Sequence, residues 1–106
     1  MKYYAVAEIE VTDPAWVADY VKNVTEQVER YGGRYLARTS RIEKLEGERK
    51  KPQVIVIVEW PSREAAEAFY GSAEYQPYLQ SRKAGAINEF VLVAGEDINR
   101  AAQITG

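Results

Sequence analysis

Apolar and polar positions alternate with a period of two at the start of the chain. Tyr3, Ala5, Ala7, Ile9 and Val11 fall on one side and Tyr4, Val6, Glu8 and Glu10 on the other, which predicts a strand. Asp13 then stands before Pro14, a helix N-cap followed by proline at the first helical position. Val17, Tyr20, Val21, Val24, Val28 and Tyr31 recur at three- and four-residue spacing and predict one amphipathic helix. Gly32 and Gly33 end it, because glycine enters the left-handed region without a Cβ clash. A second strand is expected over 34–42, a polar turn over 46–52, and a third strand over 53–60 whose VIVIV core is apolar on both faces. Ser62 caps the next predicted helix, with Ala65, Ala66, Phe69 and Tyr70 on its inner side, and Gly71 breaks it. Residues 72–84 read as helix again, interrupted at Pro77, which lacks the amide donor an unbroken helix needs. Ser72 is expected to cap this segment and Glu74 to sit in its positive first turn. Residues 87–94 form the last strand, and 96–106 a C-terminal tail.

Strand, helix, strand, strand, helix, strand is two crossovers split by a hairpin. It predicts an α+β fold: a ferredoxin-like βαββαβ sandwich with a four-stranded antiparallel sheet, formed by residues 1–95 as one domain. The first and third strands are then central. Two helices cover only one face of such a sheet, yet the third strand is apolar on both, so a second copy of the sheet is the simplest cover for the other. The pattern therefore predicts a homodimer.

Composition removes more chemistry than it suggests. The 106 residues carry 14 basic and 16 acidic side chains, a net charge of -2 without the basic excess of a nucleic-acid-binding surface. There is no Cys and no His. Thiolate nucleophiles, imidazole-activated serines, and axial-histidine haem and transition-metal sites are excluded, and no cofactor or metal is expected. Ser62 and Ser72 read as caps, and the acidic groups Glu43, Glu46, Glu48 and Glu64, Glu67 as solvated faces. The longest apolar run, Val54 to Val58, is far too short to span a bilayer, and the N-terminus lacks a signal-peptide core. The expected setting is the cytoplasm, without nucleic-acid or membrane partners.

Several stretches occur in a familiar order: VTDP at 11–14, YGGRYL at 31–36, LEG at 45–47, EWPS at 59–62, YGSAEYQ at 70–76, then Arg82 and FVLVAG at 90–95. Over 2–95 the chain resembles the domain-of-unknown-function 1330 family. That resemblance implies a dimeric α+β barrel, in which two ferredoxin-like sheets face each other. The superfamily includes cofactor-free monooxygenases, small-ring isomerases and haem-dependent enzymes, and the resemblance itself implies no particular activity.

Carboxylates, tyrosines and arginines remain as candidate chemistry. Glu59 closes the third strand and Arg38 lies in the second; a hairpin centred near Glu48 and Arg49 would pair them, and a one-residue slip would put them on opposite faces. A pocket is expected between the sheet and 70–82, where Gly71 and Pro77 prevent a flat helical cover, with Arg38, Glu59, Tyr75 and Arg82 as its polar groups. Tyr4, Tyr70 and Tyr78 are further candidates for its wall, whereas Tyr20 and Tyr31 read as core. Two arginines against one carboxylate favour a small organic acid as ligand. Three functions stay open: a binding protein for an anionic organic molecule, a cofactor-independent monooxygenase or isomerase with Glu59 as base, and a pure interaction module.

Overall fold

The computed structural model describes residues 1–99. The elements are β1 (Tyr3–Val11), a 3-10 turn (Pro14–Trp16), α1 (Val17–Arg30), β2 (Arg34–Thr39), β3 (Val54–Trp60), α2 (Arg63–Tyr70), α3 (Gln76–Gly85) and β4 (Ala86–Ala94). All pairings are antiparallel and the sheet order is β2-β3-β1-β4, so the first and third strands are central in the expected α+β, ferredoxin-like arrangement. The expected tail 96–106 falls for the most part outside the described residues.

Register assigns each side chain to a face. Ala5 is opposite Val58 and Leu92, and Ala7 is opposite Val56 and Phe90, so these residues look toward the helices. Tyr4 is opposite Glu59 and Val93, and Val6 is opposite Ile57 and Val91, so these form the open face. The two apolar sides of β3 therefore divide into Val54, Val56, Val58 and Trp60 toward the helices and Ile55, Ile57 and Glu59 away from them. The core lies under α1 and α2, where Ala5, Val24, Val28, Val58, Trp60, Ala66, Phe69, Tyr75 and Leu79 are buried together.

Several local expectations are corrected. Proline does not interrupt the third helix: Pro77 stands in the first turn of α3, where its missing amide costs nothing. Ser72 does not cap α3; its hydroxyl turns back and donates to the Phe69 carbonyl at 2.8 Å. Glu74 precedes α3 and is drawn to Arg30, 2.7 Å away. β2 stops at Thr39 instead of residue 42, after a register shift between Tyr35 and Ala37. The chain from Asp13 first makes a tight 3-10 turn, with the Asp13 carboxylate accepting from Ala15 N, before α1 begins. Ser62 caps α2 as expected, accepting from Ala65 N at 3.1 Å.

Gly32 and Gly85 are among the glycines that geometry requires. Gly32 has φ +93°, the left-handed conformation that closes α1. Gly85 ends α3, and its carbonyl accepts from Thr12 N, Asp13 N and Trp16 Nε1, so a Cβ there would overlap the Trp16 indole.

Candidate functional site

Pro77 fixes where α3 starts, which leaves Tyr75 at its N-cap and Arg82 seven residues further, two turns along the same side. Both side chains meet Tyr20, which projects from the apolar stripe of α1. Arg82 Nε donates to Tyr20 Oη at 3.2 Å and its Nη2 donates to Tyr75 Oη at 3.3 Å. The two hydroxyls are 2.6 Å apart. Arg82 is 1% exposed and Tyr75 fully buried.

Among the described residues no carboxylate lies within ion-pair distance of Arg82. Its charge is met by phenol oxygens and by the face of Phe90, whose centroid is 5.1 Å away. Burial pushes the guanidinium toward neutrality, but Tyr20 and Tyr75 outweigh it and hold its pKa above the ordinary arginine value. Burial also pushes the Tyr20 phenol well up, Tyr75 adding to this and Arg82 opposing it. The cluster is thus a buried cation held on two phenol oxygens.

Tyr20 and Tyr75 form part of the wall of a cavity of about 640 Å³ between the helix-side face of the sheet and the helices. Its floor is aliphatic, from Ala5, Ala7, Val56 and Val58, and its roof includes Val21, Val24 and Phe69. Tyr70, Phe90 and Leu92 form a partly exposed rim beside β4, the edge strand that the helices leave half uncovered. Arg38 and Glu67 alone among the lining residues carry a formal charge. Glu67 is paired with Arg63 at 3.2 Å. Arg38 lies over the Tyr35 ring, 4.1 Å from its centroid, and donates to Thr25 Oγ1 at 2.8 Å. Burial raises the Tyr35 phenol pKa, with Arg38 acting against it.

The four polar groups expected in one pocket do not meet. Arg38 and Tyr75 line the cavity, and Arg82 stands directly behind Tyr20 and Tyr75. Glu59 is on the opposite face of the sheet, because the register pairs it with Arg34 and pairs Arg38 with Val56. Its carboxylate lies 3.3 Å from both Lys2 and Arg34, with the Tyr4 hydroxyl at 3.5 Å. Tyr4 shares that open face, and Tyr78 packs on the core outside the cavity wall, whereas Tyr70 lines it. Sequence reasoning missed Tyr20, which its helical spacing assigned to the core. The available clue was the residue type: a phenol on an apolar stripe must bring a partner for its hydroxyl.

The sequence profile described as "Domain of unknown function (DUF1330)" matches residues 2–96. No curated protein matches the chain. Among solved structures, a protein of unknown function from Rhodopseudomonas palustris is 15% identical with a TM-score of 0.77, over 91% of this chain and 83% of that one. SnoaB, a cofactor-independent oxygenase from Streptomyces nogalater, is 16% identical with a TM-score of 0.65, over 91% of this chain and 94% of its own. An antibiotic biosynthesis monooxygenase is 17% identical with a TM-score of 0.59, over 92% and 100%. These likenesses concern the fold.

Proposed function

The chain belongs to the DUF1330 family, and from that premise we propose that it binds a small, largely apolar organic molecule with an acidic oxygen, in the cavity between sheet and helices. The observation that carries this is Arg82, a cation held in the core with no carboxylate partner among the described residues, behind two phenols that line an apolar cavity. A buried charge normally appears with its counter-charge. Here no carboxylate among the described residues meets the charge, and a ligand supplies the negative end. Arg38, at the β2 side of the cavity, adds a second positive charge.

Thermal-shift screening of small aromatic acids and phenols tests the reading. Hits are expected to raise the midpoint, and Arg38→Ala is expected to weaken them by about tenfold, the value of one charge-assisted contact. A screen of such acids and phenols without hits, or hits that map to the open face, would overturn it.

A second reading, a cofactor-independent enzyme, is favoured by the same cation-backed phenols, which suit stabilisation of an oxyanion in a water-poor site. SnoaB, similar in fold, is a cofactor-independent oxygenase. This reading lacks the base expected at Glu59, and Glu67 is committed to Arg63. A substrate that ionises without enzymic help would be required. Oxygen uptake with readily ionised phenols, absent in the Arg82→Met variant, is its test.

We further propose that the protein works as a homodimer joined through its open sheet face, in the cytoplasm. A chain without Cys has no disulfide that would need an oxidising compartment. No helix among the described residues is long and apolar enough to cross a membrane.

A further inference from the structure

We propose that the ligand presents one anionic oxygen on a flat apolar body, a phenolate or enolate, to a hydroxyl proton left over between Tyr20 and Tyr75, with Arg82 holding the charge from behind. This rests on the reading that the cavity binds a small molecule. A phenol has one proton to give and two lone pairs to accept with. Both phenols accept from Arg82, Tyr20 from Nε and Tyr75 from Nη2. Their mutual contact at 2.6 Å uses one of the two hydroxyl protons. The other has no acceptor among the described residues, and both rings line the cavity.

A hydroxyl that accepts from a guanidinium is polarised, and donates more strongly to an anion than an isolated phenol does. The number of donors selects the acceptor. A carboxylate is best met by the two-pronged fork of an arginine. Arg82 has turned its fork to the phenols and is not itself part of the cavity wall. A single donor with a cation behind it suits a single charged oxygen. The rings of Trp16, Phe69, Tyr70 and Phe90 around the cavity suit the flat body that carries it.

The probes are para-nitrophenol, whose ionisation changes its colour, and para-nitroanisole, the same ring with no acidic proton. Bound para-nitrophenol is expected to ionise about one pH unit below the free compound, corresponding to roughly tenfold tighter binding of the phenolate than of the phenol. The double substitution Tyr20→Phe with Tyr75→Phe, which removes both hydroxyl protons, should remove most of that shift and leave para-nitroanisole affinity within about twofold. Either substitution alone frees the proton of the remaining phenol and keeps part of the shift. An unshifted or raised value in the parent protein overturns the inference, as does a full shift that survives in the double variant. Tighter binding of para-nitrobenzoate than of the phenolate overturns it too. These measurements on the parent protein decide the matter even if a variant fails to fold. If para-nitroanisole binds in the cavity while the phenolate gains nothing, only the oxygen-anion inference falls. If none of the probes binds, the small-molecule reading falls with it.

Discussion

Arg82 looks like a stability liability, and what its removal would leave behind decides the sign of its effect. A carboxylate partner would be stranded in the core, at a cost of about 3–5 kcal/mol. Two hydroxyls 2.6 Å apart still pair with one another. Arg82→Met is therefore expected to keep the unfolding free energy within about 1 kcal/mol of the parent or to raise it, while abolishing preference for anionic ligands. Urea unfolding beside a binding titration measures both; a loss above about 3 kcal/mol would mark Arg82 as structural. Tyr20 makes a second prediction. Its phenol pKa is raised in the fold above the ordinary 10.0, mainly by burial. The folded chain thus holds this proton more tightly than the unfolded one. Stability from this source is complete below about pH 10 and declines as pH climbs above it. Between about pH 9 and pH 11, Tyr20→Phe should lose less stability than the parent. An equal loss would mean that Tyr20 titrates as an ordinary tyrosine.

At the scale of elements, one close approach sets how the helices meet the sheet. Gly85 joins α3 to β4 while its carbonyl receives Thr12 N, Asp13 N and Trp16 Nε1, tying the end of β1 and the turn before α1 to the end of α3. Gly85→Ala should overpack Trp16 and cost about 1–3 kcal/mol, lowering the thermal midpoint by about 4–8 °C per kcal/mol. An unchanged midpoint would show that the indole moves aside freely. The elements themselves were legible because each has a local cause: the alternation of β1, the stripe of α1, the Ser62 cap of α2. Gly85 was not, since its neighbour Trp16 is 69 residues away in sequence. Pro77 was misread because proline disrupts a helix interior but suits a first turn, and only the placement of α3 tells which applies. The Arg38–Glu59 pair failed for a related reason. Residues 40–53 separate β2 from β3, so no tight turn fixes their register, and β2 itself shifts register between Tyr35 and Ala37. The candidate site was half legible: Tyr75 and Arg82 share a helix side that spacing reveals, whereas Tyr20 joins them only through packing.

At the scale of the whole molecule, none of the described residues covers one face of the sheet. Val6, Ile55 and Ile57 form the centre of that face, continued by Ile87, Val91 and Val93 of β4, which are 45–67% exposed. Charge is distributed unevenly along the strands. Lys2 and Arg34 flank Glu59 at one end, while Glu8, Glu10 and Glu89 gather toward the other, where Lys50 pairs with Glu10 at 3.1 Å and leaves Glu8 and Glu89 as its excess charge. A second copy packed face to face with its strand ends exchanged would cover the apolar centre and set the basic end of each protomer over the acidic end of its partner. A stable contact of this kind needs about 800 Å² per partner. Ile57 is the most informative position, since Val56, its neighbour, points to the helices instead. In the proposed dimer, Ile57→Lys would place an unpaired charge in the apolar contact on both protomers. At about 2 kcal/mol or more for each, association should weaken roughly a thousandfold. Sedimentation equilibrium at micromolar concentration is expected to find a dimer for the parent and a folded monomer for Ile57→Lys. Val56→Lys, which strikes the cavity floor, should instead damage ligand binding and folding. Added salt should weaken the parent dimer only modestly, because exposed charges are screened while the apolar centre is not. A parent protein that sediments as a monomer would leave the exposed valines of β4 without a purpose in self-association and overturn the dimer.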